Sequence, residues 1–99
     1  MALLHLEEEK LEDVVKSGVV IVDFFATWCG PCKMLSPVLD SLADSLDIVK
    51  VDVDKHDDLA RKYGVMSVPT LIFFKDGVEV SKHIGFIPEE KIREIVAKM

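Results

Sequence analysis

Two cysteines, Cys29 and Cys32, carry the clearest chemistry in this 99-residue sequence. They are separated by a Gly-Pro dipeptide and follow an apolar run, residues 19–26, which is interrupted by one carboxylate, Asp23. Two thiols at this spacing can exchange with a disulfide or supply half of a zinc site. A carboxylate inside a buried strand is costly unless it is paired, hydrated or neutralised, so Asp23 suggests a chemical role.

The position of the two cysteines predicts that their sulfurs differ. The pair falls where the apolar run gives way to a helical pattern, so we expect Cys29 at a helix N-terminus, whose free N–H groups stabilise a thiolate. The pKa of Cys29 is therefore expected to lie below the free-thiol value of about 8.5. Pro31 suits the first helical turn because it has no N–H group. Cys32, one turn into the helix, is expected to be more buried and protonated.

Two structural roles for the cysteines are weaker alternatives. A disulfide that closes a loop of about four residues stabilises a fold by only about 2 kcal/mol, against about 4.7 kcal/mol for a loop of about 100 residues. A structural zinc site needs four ligands, but the sequence has no second C-x-x-C, and His5, His56 and His83 are scattered. Redox chemistry is therefore favoured, and we expect no cofactor other than the Cys29–Cys32 disulfide itself.

Composition predicts one small globular domain over residues 1–99, because 49% of the residues are hydrophobic and 30% are charged. The net charge of -6 disfavours nucleic acids and anionic membranes as partners, because both need clustered Lys and Arg. Asp23 interrupts the longest apolar run well before it could cross a bilayer. The apolar segment at the N-terminus is too short for a signal peptide, so we expect a cytoplasmic protein.

The hydrophobic pattern predicts an α/β fold with the element order β-α-β-α-β-α-β-β-α. The first half can form a parallel sheet, and an antiparallel C-terminal hairpin, turned by Asp76-Gly77, completes one mixed sheet flanked by four helices. The predicted strands are residues 2–6, 19–26, 48–53, 70–74 and 78–84. Four helices are predicted. The first begins at residues 7–9 and stops at Gly18, and the second covers residues 32–46 with a kink at Pro37. The third is short, capped by Asp54 or Asp57 and ended by Gly64, and the fourth begins at Pro88.

The sequence resembles the thioredoxin family over nearly its whole length. The matching segments are residues 23–33 (DFFATWCGPCK), Pro37, Lys50, residues 68–70 (VPT), residues 74–77 (FKDG) and Gly85. The resemblance implies the thioredoxin fold and a general protein disulfide reductant, a thiol–disulfide oxidoreductase that serves electron transport and cell redox homeostasis. It also implies disulfide-containing proteins as substrates and a thioredoxin reductase, flavin-containing or ferredoxin-linked, as electron donor. We expect the protein to act as a monomer.

The resemblance further implies roles for individual residues. In the catalytic set, we expect Cys29 to attack, Cys32 to resolve the mixed disulfide, and Asp23, whose pKa burial should raise, to accept the proton of Cys32. The resemblance adds Lys50 beside the carboxylate. The substrate-binding set consists of Trp28, Gly30, Pro31, Val68, Pro69 and Gly85. Within it, Val68-Pro69 is implied to be a cis peptide whose backbone pairs with an extended substrate segment.

Alternatives remain for three of these residues and for the function. From the residues alone, Pro69 could begin a strand in the trans form, Lys50 could be solvated, and Asp23 could be a strand-end group reached by water. Phe25 stands where many bacterial members have Trp, and the loop before residue 48 is shorter. Phe86 stands where a small residue is common and could enlarge or crowd the rim of the groove, which leaves partner preference open. The alternative functions are a disulfide oxidase or isomerase of the same fold and a non-enzymatic binding or assembly module.

Overall fold

The computed structural model describes residues 2–99, which form a five-stranded mixed sheet in the order β1-β3-β2-β4-β5. The strands are β1 (Leu3–His5), β2 (Val19–Phe25), β3 (Asp47–Asp52), β4 (Thr70–Lys75) and β5 (Val78–Ile84). The helices are α1 (Leu11–Val14), α2 (Gly30–Leu42), α3 (Asp57–Lys62) and α4 (Glu89–Ala97). Strands β1, β3 and β2 are parallel, whereas β4 is antiparallel to both β2 and β5. The predicted element order and fold class are confirmed.

The sheet separates two apolar cores. Side chains alternate between the faces of a strand, so β2 contributes Val20, Val22 and Phe24 to the core beneath α1 and α3. It contributes Ile21 to the core formed with α2 and α4. By the same alternation Asp23 faces α2, on the side of the sheet where the cysteine helix packs.

Helix α1 is shorter than predicted and begins later. The acidic residues Glu7 to Glu9 lie in a bend before Leu11 and are not in the first helical turn. The Glu9 carboxylate accepts the backbone N–H of Glu7 at 2.8 Å, a local bond that competes with helical hydrogen bonding. Gly18, at φ +73°, lies in the turn that leads into β2.

Helix α2 begins and ends earlier than predicted. It starts one residue after Cys29, because Cys29 is the N-cap and its Sγ accepts the backbone N–H of Cys32. It ends at Leu42, whose carbonyl accepts the N–H of Leu46 in a closing turn. Pro37 lies inside the helix as predicted.

Helix α3 is capped by neither of the predicted aspartates. The N-cap position is taken by His56, without a side-chain capping bond, while Asp57 lies in the first turn. Gly64 follows the helix at φ +68°, as expected for a helix C-terminus. None of the helices within residues 2–99 has the length and apolar character needed to cross a membrane.

The C-terminal hairpin and α4 agree with the predictions. Asp76 and Gly77 turn β4 into β5 with φ values of 49° and 85°, the left-handed conformation that a two-residue turn of this kind requires. Pro88 is the N-cap of α4, and Glu89 and Glu90 lie in its first turn, where the helix dipole favours acidic side chains.

Candidate active site

Cys29 and Cys32 form a disulfide at the N-terminus of α2, shortly after β2 ends. The Cys29 Sγ accepts the Cys32 N–H at 3.2 Å and lies 3.6 Å from the carbonyl oxygen of Val68. Both cysteines are 5% exposed, so the predicted difference in burial between them is wrong for this oxidised state. The two sulfurs differ in their position on the helix, because Cys29 is the N-cap, where free backbone N–H groups favour a negative charge.

The Val68–Pro69 peptide is cis, as the resemblance implied. It brings the Val68 carbonyl to the Cys29 sulfur from a segment 39 residues away in sequence. On the other side of this segment, the Gly85 N–H donates to the Pro69 carbonyl at 2.8 Å. The structure therefore places Val68 against the disulfide, with Pro69 next to it in the chain and Gly85 bonded to Pro69.

Trp28 immediately precedes Cys29, and its ring is held by Asp54, a residue with no site role predicted from the sequence. The indole Nε1 donates to Asp54 Oδ2 at 2.9 Å, although the Trp28 side chain remains largely exposed. Trp28, Val68 and Met66 line a cavity of about 410 Å³, and Met66 is 96% exposed. Gly30 is exposed beside them. An apolar surface therefore extends from the disulfide toward Met66.

Asp54 and Met66 were missed for different reasons. The sequence offered Asp54 only as a helix cap, because its contact with Trp28 joins residues 26 positions apart. Met66 gave a weak signal, since it lies two residues before Val68, but only the structure shows that its side chain is in solvent. Phe86 does not line the cavity beside Trp28; it lines a second cavity of about 360 Å³ against Ile87 and Ile95.

Asp23 is buried, and its Oδ1 has no hydrogen-bond partner among residues 2–99. Burial raises the pKa of this carboxyl to about 6, and the positive charge of Lys50 opposes part of that rise. Asp23 is also internal to β2, where it pairs in register with Lys50 on β3 and with Leu71 on β4. The alternative of a strand-end group reached by water is therefore wrong.

Lys50 is buried as well, so its interpretation as a solvated lysine is wrong. Its Nζ donates to the Ser36 hydroxyl at 3.3 Å and lies 4.9 Å from the centre of the Phe25 ring. No ion pair within residues 2–99 joins Lys50 to Asp23. Ser36 could not be predicted from the sequence, because a single serine on a helix gives no signal without its buried partner.

Within residues 2–99, the fold brings no further zinc ligands to the two cysteines. Within the described part of the chain, His, Cys, Asp and Glu side chains form no group of three or more that could hold a metal ion.

The bond between Trp28 and Asp54 leads to a first prediction. Replacement of Asp54 by alanine should lower kcat/KM for a protein disulfide about two- to fivefold, the loss expected when a partly exposed hydrogen bond no longer orients a contact residue. Because Trp28 is the only tryptophan, its fluorescence anisotropy reports the ring directly and should fall in the variant. Asp57→Ala, which removes an exposed acid that pairs with Arg61, serves as the control. Unchanged anisotropy in Asp54→Ala would contradict this role.

Comparison with known proteins places these features in one family. A family model described as Thioredoxin matches residues 2–98. Thioredoxins of Staphylococcus saprophyticus and Staphylococcus aureus are 49% and 50% identical to the chain, with 99% of this chain and 98% of each relative aligned. Among solved structures, a mutant thioredoxin of Halobacterium salinarum superposes with a TM-score of 0.90 at 38% identity, covering 98% of this chain and 89% of that one. Reduced Schistosoma mansoni thioredoxin pre-protein superposes with a TM-score of 0.89 at 38% identity, covering 99% of this chain and 98% of that one.

Proposed function

The chain belongs to the thioredoxin family and is a protein disulfide reductase, and on that premise we propose how its residues divide the reaction. The observation that carries the proposal is the position of the Cys29 sulfur. It lies at the N-terminus of α2, within 3.6 Å of the carbonyl oxygen next to the cis proline. A nucleophile is stabilised there by backbone amides, and an extended polypeptide can approach it along the Val68 backbone.

In the first step, the Cys29 thiolate attacks one sulfur of a substrate disulfide. A new bond forms between the Cys29 sulfur and that substrate sulfur, and the substrate disulfide breaks. The second substrate sulfur leaves as a thiolate and takes a proton from solvent. The protein and its substrate are then joined by a mixed disulfide.

In the second step, Cys32 resolves the mixed disulfide. Its thiol proton passes to the Asp23 carboxylate, whose raised pKa makes it a better base than an exposed aspartate. The Cys32 thiolate attacks the Cys29 sulfur, and the remaining substrate sulfur leaves as a thiolate. The substrate disulfide has gained two electrons, and the protein has lost two in forming the Cys29–Cys32 disulfide.

Substrate binding is assigned to the surface around the disulfide. Trp28, Gly30 and Pro31 are proposed to contact the substrate on one side, and Pro69 and Gly85 on the other. The backbone of Val68 is proposed to pair with the substrate main chain, and hydrogen bonds of that kind are insensitive to side-chain identity. This arrangement supports a general reductant that accepts many disulfide-containing proteins.

The cellular role follows from the family in general terms. We propose a cytoplasmic, monomeric reductant that contributes to electron transport and cell redox homeostasis and uses no cofactor other than its own disulfide. A thioredoxin reductase, flavin-containing or ferredoxin-linked, would return it to the dithiol form. A Gly-Pro dipeptide between the cysteines and Val68 before the cis proline favour a reductant over an oxidase or isomerase.

An insulin-reduction assay tests the proposed function. With dithiothreitol as electron source, the protein should shorten the lag before the free insulin B chain precipitates and causes turbidity. The Cys29→Ser variant should show the same lag as dithiothreitol alone. No acceleration by the intact protein would favour a non-enzymatic binding module. The reduction potential separates the remaining alternative: a reductant should lie near the value known for thioredoxin itself, about -270 mV, and an oxidase near the DsbA value of about -120 mV.

A further inference from the structure

Two buried residues of opposite charge lie side by side without forming an ion pair. Asp23 and Lys50 are register partners on β2 and β3, and they are 1% and 8% exposed. Asp23 Oδ1 has no hydrogen-bond partner among residues 2–99, yet the Lys50 ammonium donates to the Ser36 hydroxyl at 3.3 Å. Buried charges are normally paired, because an isolated charge pays a large desolvation cost. The Lys50 ammonium is therefore held by groups other than the Asp23 carboxylate.

Two neutral groups contact the Lys50 ammonium. Ser36, one turn after Cys32 on α2, offers its hydroxyl oxygen as an acceptor. Phe25, which follows Asp23 on the same face of β2, presents its ring 4.9 Å from the ammonium, a distance suited to a cation–π contact. Together they stabilise the charge of Lys50 without neutralising Asp23.

The other charged groups near the pair lie on the far side of Lys50. His5 on β1 is the register partner of Lys50, and a cavity of about 270 Å³ beside the lysine is also lined by Glu7, Asp52 and Lys55. None of these forms an ion pair with Lys50 within residues 2–99.

The surroundings of Asp23 itself are apolar on the remaining sides. On β4 its register partner is Leu71, which belongs to the apolar core between the sheet and α2 together with Leu35. Lys50 is therefore the charge whose position controls the carboxylate.

We propose that Ser36 is a positioning residue that keeps the Lys50 ammonium off Asp23, so that the carboxylate remains a strong enough base to take the proton of Cys32. The inference rests on the roles proposed above for Asp23 and Cys32. Direct pairing with Lys50 would stabilise the charged carboxylate and lower its affinity for a proton. The proton transfer that precedes attack on the mixed disulfide would then be slower.

An NMR titration of the Asp23 carboxyl carbon in the oxidised protein tests the equilibrium part of this inference. Ser36→Ala frees the ammonium to turn toward Asp23, so the titration midpoint should fall by about one pH unit. Ser36→Thr keeps a hydroxyl at the same place and should titrate like the unmodified protein. Lys50→Met should raise the midpoint, because it removes the attraction that stabilises the carboxylate. In the Lys50→Met background, Ser36→Ala should then have no further effect.

Single-turnover reduction of an aromatic disulfide tests the kinetic part. Above pH 7, Ser36→Ala should resolve the mixed disulfide about two- to threefold more slowly, because a weaker base accepts the proton. Its rate profile should reach half of its plateau at a lower pH than that of the unmodified protein, by the shift seen in the titration. A purely structural role for Ser36 would change the rate without moving this midpoint.

Three results would overturn the inference: an unchanged or raised midpoint in Ser36→Ala, an equal shift in Ser36→Thr, or a shift that persists without Lys50. Each leaves the proposed function intact as long as the unmodified protein reduces insulin. If the unmodified protein fails that assay, the proposed function itself is wrong, whatever the titration shows.

Discussion

Replacement of Cys32 by serine is expected to convert the protein from a turnover catalyst into a trap for its substrates. Cys29 can still open a substrate disulfide, but no second thiol is present to release the product, so the mixed disulfide accumulates. Turnover should fall about a thousandfold or more, as is usual when a member of a catalytic set is removed. Nonreducing gel electrophoresis after incubation with a disulfide-containing protein should show an adduct that disappears when dithiothreitol reduces the mixed disulfide.

The matched variant, Cys29→Ser, should form no adduct. Both cysteines are equally exposed in the oxidised protein, so the pair of variants tests their positions on α2 and not their burial. Cys29 is the N-cap and faces Val68, whereas Cys32 is the third residue of the helix. Equal trapping by the two variants would contradict the division of roles between the sulfurs.

Asparagine in place of Asp23 should stabilise the fold at neutral pH while slowing the reaction. Burial raises the pKa of Asp23 from 3.8 to about 6 in the folded state. Between these values the folded protein binds a proton that the unfolded chain has released, so the free energy of unfolding falls as the pH rises. The loss is complete above about pH 7 and amounts to about 3 kcal/mol, from about 1.4 kcal/mol per pKa unit.

Urea unfolding of both oxidised proteins at several pH values measures this effect. Asp23→Asn should be more stable by up to about 3 kcal/mol at pH 7.5, and the difference should shrink as the pH falls and vanish below about pH 3, where the carboxyl is protonated in both states. In the reduced protein, the variant should resolve mixed disulfides roughly tenfold or more slowly, because it lacks the proton acceptor. A less stable variant with unchanged turnover would contradict both parts of this account.

The sequence predicted those parts of the fold that depend on local patterns. The apolar run that contains Asp23 is the central strand, and Asp76-Gly77 makes the predicted hairpin turn because its backbone needs the left-handed conformation. The bounds of α1 and α2 were wrong because side chains of Glu9 and Cys29 bond to nearby backbone N–H groups. Generic propensities contain no information about such bonds.

The residues of the site likewise fall into those that the sequence predicts and those that it does not. The cysteines and Asp23 stand out in the sequence because of their spacing and their apolar surroundings. Asp54 and Ser36 do not, because their importance comes from tertiary contacts with Trp28 and with Lys50. The burial of Lys50 also contradicts the usual preference of lysine for solvent. It becomes understandable only from its contacts with the Ser36 hydroxyl and the Phe25 ring.

The long separation between Cys29 and Val68 has a consequence for synthesis of the protein. The strand next to Val68, β4, pairs with β2, and the Gly85 N–H in turn bonds to Pro69, so the reactive surface needs three distant parts of the chain. A nascent polypeptide that stops before residue 68 therefore carries both cysteines but lacks the Val68 backbone and the substrate groove. The groove can form only after the C-terminal hairpin has emerged from the ribosome and docked against the central strand.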